Sequence, residues 1–453
     1  MRALHALSSL DPDGGASPEA LRAMAAYSGW GGAADAFSEH PSGGWAEVHD
    51  ELANLLTDEQ YAMAAASTLT AFYTPQPVIA AILDTLREAG IGSGRKPDHV
   101  LEPGCGTGNF MRCVPDGMRI EFDGVEIDDV SAQIASAICE GAHVVNAPLE
   151  DCYVSSSSYD AVVGNVPYSN DISIEGQPIH DWFIMKAVDA VRPGGVVAVL
   201  TSRFTLDKAS MATRRELAEA AELVGCVRLP QETFDRQAGT QVISDVLVLR
   251  RRPERVTLPD EDLPEWCRTT NVGGAIVNSY ISSHPECVVG EMKIGPGPFG
   301  PAPSIRSGLD AEGIGRAARL ALASQGIGHV GDLHDGMAPA LETPVCCVRP
   351  SSATSFEFLL GEDGALWFGD GETVEPVVAK GRGGLERARG MIALRDETRR
   401  LFRLERDAAA SDQEVTDAIS HLDASYEAYV ARFGRLCERA NVNALNPSQY
   451  QDM

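Results

Sequence analysis

The chain of 453 residues carries a formal net charge of −28 and is 44% hydrophobic and 6% aromatic. This length exceeds what one hydrophobic core normally supports, so two or three domains are predicted. The hydrophobic fraction is that of a globular protein. The negative charge works against nucleic-acid binding over the whole surface, because phosphate contacts supply much of that affinity, and restricts any such site to a local basic patch.

The sequence predicts neither a membrane segment nor a metal site. No apolar run approaches the roughly 18 to 20 residues that span a bilayer, and the N-terminus "MRALHALSSLDPDGG" lacks the apolar stretch of a signal peptide. The ten cysteines include no C-x-x-C pair, which argues against a zinc ribbon and against a disulfide framework. We therefore expect reduced thiols and a cytoplasmic location.

Residues 1–70 are predicted to form a helical N-terminal lead. The clearest helical segments are "SPEALRAMAAYSG" and "LTDEQYAMAAASTLTAF", with Ser17 and Thr57 as N-caps. The Gly-rich stretch "GWGGAADAF" between them is predicted to be irregular.

Residues 71–254 are predicted to form a parallel, doubly wound sheet. Short apolar strands alternate there with helical stretches, and this alternation is typical of α/β folds. The strand candidates are "HVLEPG", "FDGVEI", "HVVNA", "YDAVVGN", "GVVAVLTS", "LVGCVRL" and "ISDVLVLRRR". The predicted fold class is therefore α/β, with a Rossmann-like sheet.

The rest of the chain is predicted to be an α+β recognition or docking region. Residues 255–383 are punctuated by Gly and Pro and contain a hairpin around Glu362-Asp363-Gly364, and residues 384–453 contain the C-terminal helices. Two Arg-rich stretches are candidates for local basic patches, with solvated helix faces as the alternative. Their members are Arg203, Lys208, Arg214, Arg215, Arg228, Arg236, Arg250, Arg251, Arg252 and Arg255, and then Arg382, Arg387, Arg389, Arg395, Arg399 and Arg400.

The clearest motif is "VLEPGCGTGNF", in which a strand ends at Glu102 and is followed by Gly104, Gly106 and Gly108. Such glycines let the backbone turn tightly and approach a ligand. The spacing is G-x-G-x-G rather than the dinucleotide pattern G-x-G-x-x-G, which favours a ligand without a pyrophosphate. The next strand ends in "VEID", where Glu126 is placed to grip ribose hydroxyls. Together these features favour S-adenosylmethionine as the cofactor over an ordinary β–turn–α connection.

Flanking residues complete the predicted cofactor site. Tyr73 and Thr74 of "AFYTP" are placed at the methionine end of the ligand, although T-P is also a common helix start. Glu150 of "APLED" is a candidate acceptor for the adenine amino group, with a solvated turn carboxylate as the alternative. The other residues assigned to the cofactor are Cys105, Asn109, Phe110, Ile127 and Asn165.

Asn165 lies in "GNVPYS", directly after the apolar strand "YDAVV" and at the sheet edge where α/β folds bind ligands. The exocyclic amine of a base is a poor nucleophile, because its lone pair is delocalised into the ring. The Asn165 oxygen and the Val166 carbonyl can accept its two N–H groups and stabilise the developing positive charge. Pro167 restricts Val166 to extended geometry, and Tyr168 offers a face for stacking. These four residues are the predicted catalytic set, with an Asn-capped turn as the alternative.

The set "FYTP", "EPGCGTGNF", "VEID" and "NVPY" resembles the amino-methyltransferases that modify adenine N6, whose catalytic tetrapeptide is usually Asn-Pro-Pro-Tyr or Asp-Pro-Pro-Tyr. The motif order is similar to their gamma arrangement, which implies target recognition toward the C-terminus. Val166 departs from the pattern because it replaces the first Pro. A backbone contact survives this change, but the rigidity of two prolines does not.

A longer resemblance covers most of the chain. The segments "YSGWGGAADAF", "STLTAFYTP", "GNVPYS", "VRLPQETF", "AGTQVISDVLVL" and "RARGMIALRDETRRLF" are similar to the methylase portion of phage- and plasmid-type helicase–methylase proteins. The resemblance implies adenine N6 methylation of DNA in a mobile-element, restriction–modification or phage-defence context, in a bacterial or phage- or plasmid-encoded protein. A helicase usually follows in that family, and no G-x-x-x-x-G-K-[ST] occurs here. A stand-alone version, or a piece of a longer protein with a helicase module or partner, is therefore implied.

His180, Phe204 and Lys208 are the candidates for substrate contact. His180 follows the loop "NDISIEGQP", which is placed to close over a flipped base, while Asp181 as a helix N-cap is an alternative explanation. For Phe204 the alternative is core packing. Two other functions stay open: methylation of a glutamine amide in a protein, which uses a similar clamp, and a catalytically silent DNA-binding or antirestriction scaffold.

Overall fold

The structure is a computed structural model. It describes residues 1–10, 16–27, 29–31, 33–68, 73–169, 172–234, 242–297, 300–326, 346–350, 357–361, 364–369, 374–381, 383–406 and 410–445. Four residues named above, Glu362, Asp363, Arg236 and Arg382, lie outside these ranges. Within the described ranges no helix combines the length and the apolar character needed to cross a membrane.

The chain divides into two compact units. The first comprises Met1–Glu150 and Val154–Cys346, and the second comprises Asp151–Tyr153 and Cys347–Met453. The N-terminal helices and the sheet therefore lie in the same unit. The division of the chain into four segments with separate roles stays a prediction.

The N-terminal region is helical, with α1 (Arg2–Ser8), α2 (Pro18–Ala25), α3 (Trp45–Leu55) and α4 (Asp58–Ser67). The Ser17 hydroxyl accepts a hydrogen bond from the backbone N–H of Ala20 at 3.1 Å. Thr57 and Gln60 form a reciprocal capping box at 3.0 and 3.2 Å, which satisfies N–H groups that a helix start leaves unpaired. Both predicted N-caps are confirmed.

Seven strands form the central sheet of the first unit: β1 (Asp98–Pro103), β2 (Ile120–Glu126), β3 (His143–Asn146), β4 (Tyr159–Asn165), β5 (Val191–Ser202), β6 (Ala221–Leu229) and β7 (Ser244–Arg251). Their order is β3-β2-β1-β4-β5-β7-β6. Strands β3, β2, β1, β4 and β5, which are adjacent in this order, are parallel to one another, and β7 is antiparallel to both β5 and β6. The predicted α/β fold class, with a mostly parallel, Rossmann-like sheet, is confirmed.

Among the described residues, six helices accompany these strands: α5 (Gln76–Glu88), α6 (Asn109–Arg112), α7 (Asp129–Ile138), α8 (Ile179–Ala190), α9 (Phe204–Asp207) and α10 (Ala212–Ala220). Two more, α11 (Ser279–Ser283) and α12 (Ala311–Ser324), follow the sheet. Apolar residues of α5 and α12 pack with alternate residues of β1, β4, β5 and β7 in one buried cluster. Period-2 alternation in a strand places such residues on the same face of the sheet.

The N-terminal helices pack on the sheet domain through α7. A second buried cluster contains Leu4, Met24, Trp30 and Leu52 from the N-terminal region together with Ile134 from α7. Helices whose apolar faces are covered in this way are stabilised by tertiary packing rather than by local propensity. The predicted lead is therefore an integral layer of the first unit.

The first unit also contains two hairpins after the sheet, formed by Thr269–Val272 with Ala275–Asn278 and by Glu291–Gly297 with Gly300–Arg306. In addition, it contains the short strands Ser173–Ile174 and Gln177–Pro178, which pair with each other between β4 and α8. A short strand, Cys152–Val154, lies between β3 and β4, and another, Cys346–Val348, follows α12.

The second unit has a small antiparallel sheet and three helices. Strands Glu357–Leu360, Leu366–Gly369 and Val374–Pro376 pair in that order, which confirms the predicted hairpin. The helices are α13 (Gly384–Arg406), α14 (Asp412–Phe433) and α15 (Arg439–Ala444). Ala388 and Ile392 of α13 pack on Leu366 and Val377, so α13 supplies part of the core of this unit.

Candidate active site

A cavity of about 570 Å³ lies at the carboxyl ends of β1, β2 and β4. All residues predicted to hold the cofactor line it: Tyr73, Thr74, Glu102, Gly104, Cys105, Gly106, Asn109, Phe110, Glu126, Ile127, Glu150 and Asn165. Pro167 also lines it, whereas the remaining predicted residues do not: Val166, Tyr168, His180, Phe204 and Lys208. The structure thus brings the predicted cofactor residues and Asn165 together in one cavity.

The loop after β1 needs glycine for both conformation and space. Gly104, Gly106 and Gly108 have φ angles of +73°, +55° and +72°, a region that side chains rarely adopt. A Cβ on Gly108 would lie 2.2 Å from the Cys139 sulfur, and one on Gly106 would lie 3.3 Å from the Tyr73 hydroxyl oxygen. The loop therefore fits tightly between α7 and the segment before α5.

Glu126, at the end of β2, holds this loop in place. One carboxylate oxygen accepts from the backbone N–H of Gly106 at 2.7 Å, and the other accepts from that of Asp128 at 2.8 Å. Burial raises the pKa of Glu126 to about 7, although these backbone hydrogen bonds favour the ionised form. The acid thus has a structural role beside its predicted contact with the ribose.

Three residues on the cavity wall have buried oxygen atoms without a hydrogen-bond partner: Glu102 (Oε2), Thr74 (Oγ1) and Asp128 (Oδ1). Burial, followed by the nearby Glu126 carboxyl, raises the pKa of Glu102 well above its usual value. Buried polar groups are normally hydrogen-bonded, so these oxygens indicate a ligand that donates hydrogen bonds. Because four residues with carboxyl groups line the cavity, Glu102, Glu126, Asp128 and Glu150, we expect that ligand to carry positive charge.

The raised pKa values predict that affinity for a cationic ligand increases with pH. Glu126 has a pKa of about 7 against an ordinary 4.5, so the free protein binds protons that a cation would displace. Affinity should therefore rise from about pH 6 to about pH 8, with net proton release. Ionising this carboxyl also lowers the folding stability of the ligand-free chain as pH rises from about 4.5 through about 7.

Calorimetry in buffers of different ionisation enthalpy measures both quantities. Affinity that stays constant over this pH range, without proton release, would contradict the assignment of the acids to a cationic ligand.

Asn165 is hydrogen-bonded within its own motif. The Tyr168 hydroxyl donates to the Asn165 side-chain oxygen at 2.8 Å, and burial raises the pKa of Tyr168. Val166 is fully buried, and its backbone N–H donates to the carbonyl of Leu200 on β5 at 3.0 Å. The turn after β4 is therefore tied to the neighbouring strand, which gives the Val166 backbone a defined position without a proline.

His180 and Lys208 meet at a buried carboxylate. Asp181 is fully buried, with Lys208 Nζ 3.6 Å and His180 Nε2 3.5 Å from its two oxygens, and the Thr213 hydroxyl donates to it at 3.2 Å. Burial lowers the pKa of His180. Asp181 is not the N-cap of α8, because that helix begins two residues earlier. As substrate contacts, His180 and Lys208 stay predictions.

The cations of the first Arg-rich stretch are largely bonded inside the first unit. Arg228 is fully buried and donates to both Asp207 and Asp245 at 2.7 to 3.0 Å. Arg214 is buried and donates to three backbone carbonyls. Others that bond to carboxylates or carbonyls are Arg203, Arg215, Arg251, Arg252 and Arg255. Removing one partner of a buried ion pair is strongly destabilising. The arginines of this stretch therefore stabilise the fold rather than form an open basic surface.

Phe204 is 39% exposed, so it is not a core aromatic. The Arg203 guanidinium lies 4.2 Å from the centre of its ring, a cation–π contact that steadies both side chains. Its role as a substrate contact stays a prediction.

The cavity has walls that sequence reasoning does not assign. The N-terminal region contributes Trp30, Met63, Ala66 and Ser67, and the segment after β4 contributes Ile172, Ser173, Ile174, Ile179 and Phe183. In the sequence, the glycine-flanked tryptophan in "YSGWGG" is the only local sign of the first group. Their roles depend on tertiary packing, which spacing along the chain does not encode.

Comparisons with known proteins agree with these motifs. Residues 55–262 match the N-6 DNA Methylase family model. The Defense against restriction protein B of Escherichia phage P1 is 30% identical over 233 residues, which are 46% of this chain and 10% of that protein. The match thus spans about one tenth of that relative's length.

Solved structures are similar over part of the chain. One is the type I restriction–modification methyltransferase subunit from Streptococcus thermophilus, with 19% identity, 42% of this chain and 48% of that chain covered, and a TM-score of 0.35. Another is the M protein of the type I restriction enzyme EcoKI, which is 14% identical. The match covers 74% of this chain and 89% of that chain, with a TM-score of 0.32. The part of the chain that matches the N-6 DNA Methylase family model, residues 55–262, contains the Gly loop, the strand-end acids and Asn165.

Proposed function

We propose that this protein transfers a methyl group from S-adenosylmethionine to N6 of adenine in DNA. The observation that carries the proposal is that Asn165, at the end of β4, lines the same cavity as Glu102 and Glu126 at the ends of β1 and β2. The match of this segment to the N-6 DNA methylase family supports DNA adenine as the acceptor. The name of the phage P1 relative, a defence-against-restriction protein, supports a restriction or defence context.

The residues on the cavity wall fit this cofactor. Glu102 and Thr74 have buried, unpartnered oxygens and are assigned, with Tyr73, to the amino-acid end. Glu126 is assigned to the ribose. Glu150 is assigned to the adenine amino group. The acidic wall is complementary to a ligand that carries a sulfonium and an ammonium group.

Asn165 is assigned to activate the base. When bound, the cofactor would supply an electrophilic methyl group, whose bond to sulfur breaks as the new N–C bond forms and releases S-adenosylhomocysteine. The Asn165 oxygen accepts one N–H of the exocyclic amine, and the Val166 carbonyl accepts the other, which stabilises the nitrogen as its lone pair forms the new N–C bond. The extra proton leaves the nitrogen afterwards, so no strong base is required. An amide oxygen has two lone pairs and can accept from more than one donor, so acceptance from the Tyr168 hydroxyl is compatible with this role.

The target adenine must leave the duplex to reach this cavity, since an enzyme cannot reach a stacked base. Tyr168 is assigned to stack on it. The ring does not line the cavity in this structure, so stacking requires the side chain to turn when the base enters.

A turnover assay tests the proposal. S-adenosylhomocysteine should accumulate only when DNA is present with the cofactor. Binding of the cofactor without turnover on DNA of varied sequence would speak against the enzyme as it stands alone.

The second candidate is a catalytically silent antirestriction scaffold. The name of the phage P1 relative, a defence-against-restriction protein, favours it, as does Val166 in place of a catalytic-motif proline. Under this alternative the cavity still binds the cofactor, but the protein transfers no methyl group to DNA of any sequence, even when a helicase partner is added.

Partner binding is assigned to the C-terminal helices. The residues that line the cavity all belong to the first unit, whereas α13 carries exposed arginines at its C-terminal end, Arg400, Arg403 and Arg406. We expect removal of residues 384–453 to leave cofactor affinity unchanged and to weaken binding of DNA or of a helicase partner. Calorimetry and DNA gel-shift assays measure the two effects. Loss of folding of the first unit after truncation would contradict the expectation.

A further inference from the structure

We propose that Trp30 is a positioning residue of the cofactor cavity, and that the Asp128 carboxylate it holds is a further contact to the nucleoside part of the ligand. This inference rests on the proposed function for the identity of the ligand. Trp30 lies outside the motifs that assign the cofactor site, and Asp128 is the last residue of "VEID", in which only Glu126 and Ile127 are assigned to the ligand. Trp30 lies 98 residues before Asp128, in the Gly-rich stretch of the N-terminal region.

The two oxygens of Asp128 have very different surroundings. Oδ2 accepts three hydrogen bonds: from the Trp30 indole N–H at 3.0 Å, from the Ser131 backbone N–H at 3.0 Å and from the Ser131 hydroxyl at 2.6 Å. Oδ1 is buried and has no partner, and the residue lines the cavity with 2% of its surface exposed. One oxygen is therefore saturated by the protein while the other remains for a ligand donor.

The position of Asp128 indicates which donor it meets. It follows Glu126 by two residues at the carboxyl end of β2, and Glu126 is the acid assigned to the ribose. A hydroxyl or amino group of the nucleoside is therefore the donor within its reach. A carboxylate held by three donors is already oriented before the ligand arrives, which reduces the entropic cost of binding.

Trp30 is itself held by its neighbours. It is 4% exposed, and its ring packs edge-on against Tyr27 and Phe37, with centroid distances of 5.6 and 5.4 Å. Its one polar atom is directed to Asp128. The packing of the N-terminal region therefore fixes the orientation of the indole, whose N–H holds the Oδ2 atom of Asp128.

The glycine before Trp30 serves the same cavity. Gly29 has a φ angle of +78°, and a Cβ there would lie 1.9 Å from the Tyr73 ring. Tyr73 in turn lies against Gly106 of the cofactor loop. Gly29 thus lies against Tyr73 and Trp30 bonds to Asp128, so both residues contact side chains that line the cavity.

Substitution Trp30→Phe tests the inference, because it keeps an aromatic ring and removes only the indole N–H donor and part of the ring. We expect cofactor affinity to fall about tenfold, as for the loss of a hydrogen bond to a charged group. The matched control is Phe37→Leu, which disturbs the same aromatic cluster but keeps the indole N–H donor to Asp128, so affinity should fall clearly less than in Trp30→Phe. Calorimetry on the full chain gives both values, and thermal unfolding reports stability separately.

Asp128→Asn supplies the second test, because it leaves the aromatic packing in place. It should weaken binding about tenfold or more, and the double variant Trp30→Phe/Asp128→Asn should bind no more weakly than Asp128→Asn alone. Additive effects, or unchanged affinity in Trp30→Phe, would overturn the positioning role. Equal loss in Phe37→Leu would reduce Trp30 to a packing residue. If the wild-type chain binds no S-adenosylmethionine, the proposed function fails instead.

Discussion

Asn165→Ala is expected to lower the rate of methyl transfer by about 10²- to 10³-fold, the scale seen when one preorganised group at a developing charge is removed. Affinity for the cofactor should fall far less than the rate, because Asn165 is only one of the residues assigned to the cofactor and the substitution leaves the strand-end acids and the Gly loop unchanged. Single-turnover transfer to DNA measures the rate, and calorimetry measures cofactor binding. A variant that keeps full activity would contradict the assignment of Asn165 to the amine.

Matched variants separate the parts of this motif. Asn165→Asp keeps an acceptor oxygen and should retain more activity than Asn165→Ala. Tyr168→Phe keeps the ring and should keep most activity, although it removes the hydroxyl that donates to Asn165. Tyr168→Ala should lose much of it, since stacking of a base on an aromatic ring contributes about 1 to 3 kcal/mol. The two Tyr168 variants should bind cofactor like the wild type, because Tyr168 does not line the cavity.

Glu126→Ala is expected to weaken cofactor binding by about 1.5 to 3 kcal/mol, the range for a hydrogen bond to a charged group. The effect should lie toward the upper end, because the same carboxylate holds the backbone N–H of Gly106 in the cofactor loop. Calorimetry with S-adenosylmethionine measures the change.

Glu121→Ala is the control for this prediction. Glu121 lies on the same strand, is exposed and does not line the cavity, so its removal should leave affinity unchanged. Equal affinities for the wild type and Glu126→Ala would contradict the ribose assignment.

The site could be predicted from the sequence where its parts are local. The Gly loop, Glu102 and Glu126 follow strands whose apolar runs are visible in the sequence, and parallel strands bring their carboxyl ends to one edge. Asn165 follows a third such strand. The cavity therefore contains every residue that the sequence assigns to the cofactor.

The features of the site that the sequence did not predict depend on contacts between residues that are far apart in the chain. The hydrogen bond between Trp30 and Asp128 joins residues 98 positions apart. Likewise, Arg228 lies on β6 within a run of cations that resembles a surface patch, yet it is fully buried between two aspartates. Composition indicates how much charge a segment carries, whereas burial and partners depend on which elements pack together.

The central claim is tested most directly by the fate of a labelled methyl group. DNA incubated with the protein and methyl-labelled S-adenosylmethionine is digested to nucleosides, which are then separated. Label in N6-methyldeoxyadenosine, present with the wild type and absent with Asn165→Ala, is the predicted result. Label in N4-methyldeoxycytidine, label in a protein glutamine with unlabelled DNA, or no transfer by a chain that binds the cofactor, even with a helicase partner, would contradict it.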